Sequence, residues 1–257
     1  MTRPRRLDRK RVVLGAAALA AAVFALARTG VLLPRSAAGE SGAFVAGLLL
    51  APVILSVWEW STHRYLYHRV LCPWLRAVFE THHHDHHIRS FPPWRFSRAG
   101  DEGGTPAGGP SSMYRRLLRA RLGLDLPVSD RWVYLAFCTL SVGTPVWLLT
   151  RRPSFLAGLV LSGLAVFQLF DAVHDTIHHP GRCPWMERQP WFPFLRRHHF
   201  IHHLDTEANV NFLLPLADAL FGTLRLATTE EEVARASAGA PSSGGGGSSL
   251  EPSPRVR

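Results

Sequence analysis

Four apolar runs alternate along this chain with arginine- and histidine-rich stretches, at residues 12–33, 42–60, 132–150 and 155–173. A helix of about 20 residues crosses a hydrocarbon core of about 30 Å with every backbone polar group satisfied internally. The expected fold is therefore all-α and integral to a membrane, with about four transmembrane helices. Trp58 and Trp60 close the second run as an aromatic belt would. A basic N-terminus, residues 1–11, precedes the first run and is expected on the cytoplasmic side. For 12–33 a cleaved signal peptide is the alternative to a retained helix.

With that orientation, runs two and four both return the chain to the cytoplasmic face, so His63 and His174 emerge together. Arg151 and Arg152, in the far-side turn between runs three and four, go against the positive-inside rule. The net charge of +10 does not point to nucleic acid, because the basic residues gather at the ends of apolar segments instead of forming a reading surface. Lipid phosphates are the natural acidic partner. Cys72, Cys138 and Cys183 form no CxxC pair, which excludes a disulfide framework and a cysteine-rich zinc site. A single lysine, Lys10, among so many arginines suggests a GC-rich genome, and the expected location is a bacterial cytoplasmic membrane.

Residues 12–228 read as one membrane-embedded domain, carrying a flexible insertion at 96–112. The stretch 114–126 alternates arginine with leucine and suits a membrane-surface helix or a solvated one. The tail 229–257, with its SSGGGGSS run, is expected to be disordered.

All 14 histidines fall within residues 63–87 and 174–203. They form four boxes: His63 and His68; His83, His86 and His87; His174 and His178; His199, His202 and His203. On an α-helix, positions i, i+3 and i+4 share a face, so each HxxHH box is expected to aim three imidazoles at one point. Ten imidazoles exceed what one ion takes and suffice for two, so two metal ions are the expected cofactors. His82, His84, His179 and His198 are assigned to the surroundings. Imidazole suits iron, zinc and copper. The carboxylate-rich ExxH pairs of soluble di-iron bundles are missing, as is the HExxH motif of zinc hydrolases. An all-nitrogen site beside a bilayer points to iron that activates O2 against a C–H bond, with zinc as the other choice. Glu59, Asp175 and Asp85 are candidates to orient ligand rings, and an ion pair of Glu59 with Arg64 is the alternative. Asn211 and Asp218 read as turn-forming or capping residues. Trp185, Trp191, Phe192 and Phe194 read as a channel roof or as interfacial anchors.

At these residues the chain resembles the fatty acid hydroxylase superfamily, which includes sterol desaturases and carotenoid hydroxylases. The resemblance spans roughly residues 56–223. It is strongest to membrane fatty acid 2-hydroxylases, whose boxes run HxxxxH, HxxHH, HxxxHH and HxxHH. His179 falls on the third pattern. Glu59, four residues before His63, and the ending Pro215, Asp218, Phe221, Gly222, Thr223 also match. The resemblance implies a dimetal centre held by the ten box histidines under a small cytoplasmic helical cap. It also implies O2-dependent hydroxylation of a lipid, fatty-acyl chains favoured, with electrons from an external ferredoxin- or haem-type donor. Sterol desaturation and carotenoid hydroxylation stand as alternatives within the superfamily. A membrane metal transporter or sensor is the alternative from another class, although the charges in the runs (Arg28, Glu59, Asp171) all lie near segment ends.

Overall fold

The computed structural model describes residues 35–98, 136 and 138–238. Among these the chain is entirely helical, without strands. The first apolar run and the 114–126 stretch lie outside the described residues.

Two helices are long and apolar enough to cross a membrane. Helix α1, Ala37–Thr62, continues as a π-helical segment, His63–Tyr67. Ser36 caps its start by accepting the Gly39 N–H at 3.3 Å. After the Arg76–Phe79 helix (α2), a second π-helical segment runs over Glu80–Ser90. A third, Thr139–Gly143, leads into α3, Thr144–Thr150. There the chain reverses: Arg151 adopts the left-handed conformation at the C-cap of α3, Arg152 is extended, and Pro153 occupies the first turn of α4, Pro153–His178. Short helices follow: α5 (Pro184–Glu187), α6 (Phe192–Leu204), α7 (Leu216–Phe221) and α8 (Glu230–Ala238).

Helices α1 and α4 pack along most of their length, and small residues decide how closely. Gly39, Ala43, Gly47 and Ala51 make a buried stripe at four-residue spacing on α1. A Cβ on Gly47 would sit 2.2 Å from the Phe155 carbonyl oxygen, and one on Gly158 would sit 2.1 Å from that of Phe44. The backbones touch at these glycines. Glu40, in the first turn of α1, pairs with Arg152 and Ser154 at the start of α4. Since both starts meet, the helices are parallel and both end in histidines on one side. Arg152 is only 3 % exposed and pairs with Glu40, while Arg151 beside it is exposed.

The segment Cys138–Thr150 runs antiparallel beside this pair: Trp58 Nε1 donates to Ser141 Oγ at 3.0 Å near the histidine end, and Thr150 meets α4 at the other. Its described part is shorter than a bilayer crossing. The outward faces of α1 and α4 expose Val45, Leu49, Leu161 and Leu169. Neither helix is mostly buried among the described residues.

At the histidine end, Val173 and Ile177 of α4 pack with Met186, Phe192, Leu195, Phe212 and Phe96. Two expectations change. Residues 96–98 pack on the body: Phe96 is buried and the Arg98 N–H donates to the His178 carbonyl at 2.8 Å. The tail is helical over Glu230–Ala238. Thr229 and Glu232 form a capping box there, each side chain accepting the other's backbone N–H at 3.2 and 2.9 Å.

Candidate metal centre

Four helical segments deliver the histidines, and their type decides which rings meet. In a π-helical segment the hydrogen bonds run from i to i+5, so residues five apart share a face. His63 and His68 bracket one such turn, closed by the His68 N–H on the His63 carbonyl at 3.2 Å. His82 and His87 are likewise five apart within Glu80–Ser90. The α-helical boxes on α4 and α6 use four-residue spacing, His174 with His178 and His199 with His203.

The ring nitrogens gather into two groups, within each of which the ligand atoms lie within 4.8 Å of one another. The first holds His63, His68, His82, His87 and His202; the second holds His86, His178, His199 and His203. In the first, His82 Nε2 lies 2.9 Å from His63 Nε2 and 3.1 Å from His87 Nε2, and His68 Nε2 lies 3.1 Å from His202 Nε2. In the second, His199 Nε2 lies 3.0 Å from His178 Nε2 and 3.1 Å from His203 Nε2. The adjacent pairs His86–His87 and His202–His203 each divide between the groups, because neighbouring helical side chains diverge. The HxxHH boxes therefore serve two points, not one, and their HH pairs tie the groups together. The rings of His87 and His203 are 4.1 Å apart across that boundary.

Backbone carbonyls orient rings of both groups. His178, His202 and His203 donate their Nδ1–H to the carbonyls of Phe96, Ala208 and Phe91 at 2.7, 2.8 and 2.7 Å. In the neutral ring this leaves Nε2 as a lone pair aimed into the groups. His178 and His203 thus both point lone pairs at His199 Nε2, which carries at most one proton. His86 Nε2 and His87 Nδ1 are buried with no hydrogen-bond partner. Burial, and after it the neighbouring rings, holds the pKa of His68, His82, His86, His87, His199 and His203 well below the ordinary 6.5. Neutral imidazoles that confront one another at 3 Å are a donor set for metal cations, whose ligand nitrogens sit about 2.0–2.1 Å from the ion. The residues fit the two metal ions expected from the sequence.

Eight of the ten expected ligands fall in these groups, and His82 joins them. His83 stands at the margin, half-buried, with Nδ1 3.0 Å from His68 Nδ1 and its ring stacked on Phe79. His174 packs its ring 4.7 to 4.9 Å from those of His86, His178 and His199, outside the gathered nitrogens. His84 is exposed, and His179 lies beside Asp175. His198 is buried and donates Nε2–H to the Asn211 carbonyl at 2.7 Å.

The acids bond elsewhere than on the gathered rings. Asp175 pairs with Arg182 and Asp85 with Arg89. Arg64 pairs with Glu207. Glu59 accepts the Phe212 N–H at 2.9 Å and the Asn211 side-chain amide at 3.3 Å. Asp218, fully buried, accepts the backbone N–H groups of Val210 and Asn211 and the Thr223 hydroxyl. Together these bonds shape the loop 208–212, where Asn209 takes positive φ and Ala208 presents its carbonyl to His202. Of the four aromatics after the third box, Phe192 is core, while Trp185, Trp191 and Phe194 are exposed. The orienting carbonyls of Phe91, Phe96 and Ala208 escaped sequence reasoning because a carbonyl has no residue signature.

Comparisons with family models, curated proteins and solved structures find no match to this chain.

Proposed function

We propose that this chain is a membrane-bound, O2-dependent lipid hydroxylase of the fatty acid hydroxylase type, working through a histidine-held pair of metal ions. The observation that carries the reading is the pair of adjoining nitrogen groups at the shared end of two parallel apolar helices. The gathered donors are all imidazoles, which suit iron, the ion that O2 chemistry on a C–H bond calls for, with zinc as the alternative. When bound, such ions supply O2 activation and oxidation of a C–H bond, drawing electrons from an external ferredoxin- or haem-type donor.

The chain's residues hold the geometry and exclude water. The three carbonyls fix ring tautomer and direction, so the donor atoms need little reorganisation. Phe91 stacks on His178 at 4.1 Å, and Phe96 contacts His178, His199 and His203. These rings and the Val173–Phe192 core seal the second group from solvent. The exposed leucines of α1 and α4 match a bilayer, from which an acyl chain reaches the histidine end; in this reading that end is a small cap on the cytoplasmic face.

Mass spectrometry of lipids from cells with and without the gene tests the reading. An added oxygen on acyl chains supports it, one on sterols or carotenoids moves the substrate within the superfamily, and no oxidised lipid of any class refutes it. Replacing His86 and His87 together with alanine takes a nitrogen from each group. Both bound metal and turnover should be lost, and full retention of either would refute the assignment.

A further inference from the structure

Below the histidine end, α1, α4 and the Cys138–Gly143 stretch line a half-open cleft. Its walls are apolar: Leu55 and Trp58 on one side, Val142 across from them, Val166 and Phe167 along α4. The α4 residues that line it run from Leu159 to Phe170, which spans about 16 Å at 1.5 Å per residue, room for an extended chain of roughly a dozen carbons.

One end of the cleft adjoins the metal centre. Phe170, in its wall, stacks on His174 at 5.8 Å and meets Phe212 edge-on at 5.0 Å. His174 in turn packs on His86, His178 and His199. Glu59 stands at this same end as the one acidic or basic residue of the lining. Its two bonds to the 211–212 loop leave each carboxyl oxygen with hydrogen-bonding capacity to spare. Glu59 also keeps part of its surface open, and it lines the cleft. A carboxyl at the end of an otherwise apolar slot is costly unless a polar group meets it.

We propose that the cleft binds the apolar chain of an amphiphilic lipid, whose hydroxyl or amide group hydrogen-bonds to Glu59. The polar end then lies towards the histidines, and the carbons next to it are those nearest the metal centre. A pure hydrocarbon lacks the group that Glu59 selects. The inference rests on the lipid-oxidising reading above and narrows its substrate to chains with a hydrogen-bonding head.

Gly163 offers a handle on the cleft. A Cβ there meets only Leu55 Cδ1, at 3.6 Å, so a larger side chain enters the cleft without striking backbone. The test uses the full chain in detergent and a long-chain alcohol carrying a mid-chain diazirine. Photolabel should map to peptides covering 138–143 and 159–170. Unlabelled alcohol should compete about tenfold better than the matching alkane, the weight of one hydrogen bond. Gly163→Phe should cut labelling while metal content, measured in the same samples, stays unchanged. Label on other segments, equal competition by the alkane, or labelling indifferent to Gly163→Phe would each overturn the proposal. So would a wild-type chain that takes no label because its own 12–33 run fills the cleft. Label as described without any oxidised lipid keeps the cleft and removes the hydroxylase reading; oxidised lipid with label elsewhere does the reverse.

Discussion

The exchange of His82 for His83 shows how finely the site depends on backbone form. In an α-helix His83 and His87 share a face, whereas the i to i+5 bonding of Glu80–Ser90 puts His82 beside His87 instead. His82→Ala should therefore lower bound metal by close to one ion per chain, while His83→Ala leaves the content near wild type. Elemental analysis of the two purified variants checks this, and the opposite ranking would return His83 to the ligand set. Protons compete for the same nitrogens. Burial brings His202 from 6.5 down to about 4. The unfolded chain then binds protons below about pH 6.5 that the folded chain refuses. Metal-free protein should keep its full stability above that pH and lose it progressively as the pH falls from 6.5 towards 4. Thermal unfolding in detergent across that range reads the effect, and a melting temperature flat from pH 7 to pH 4 would contradict it.

At the scale of elements, the helix that carries each box is as informative as the box. The apolar runs at 42–60 and 155–173 were legible from composition, but α1 and α4 extend beyond them into the histidines. No sequence periodicity announced the π-helical turns, since tertiary packing selects a conformation that local propensity disfavours. The Thr229–Glu232 capping box is legible in the sequence, inside a tail whose composition otherwise predicts disorder. The glycine contact between α1 and α4 is the element-scale feature most open to test. Gly47→Ala drives a methyl group into the Phe155 carbonyl, and overpacking of this kind costs about 1–3 kcal/mol. A lower melting temperature together with partial metal loss is expected, because α1 carries His63 and α4 carries His178 to the centre. Ala43→Gly, at a neighbouring position of the stripe, should keep the metal. If Gly47→Ala melts like wild type, the close approach is not a constraint.

For the whole molecule, the parallel arrangement is decisive. Two helices that start together at Glu40 and Arg152 end together at His63 and His174, and the antiparallel stretch Cys138–Thr150 lies between them in sequence. With Val45, Leu49, Leu161 and Leu169 facing outward, the molecule should fractionate with membranes and stay there through alkaline carbonate extraction. Release into the supernatant would place α1 and α4 on a surface instead of across a bilayer.

The sequence by itself determined the apolar length of the two long helices and the identity of the donor atoms that gather at their shared end. Both depend on residue chemistry: an apolar length suited to a bilayer, and imidazole nitrogens able to hold a metal. Tertiary structure alone decided which rings share an ion, which acids hold the loop instead of the ligands, and where an apolar cleft meets Glu59. Those outcomes depend on helix phase and on backbone carbonyls brought in from Phe91, Phe96 and Ala208. Neither is written in side-chain spacing, because both arise only when distant segments pack together.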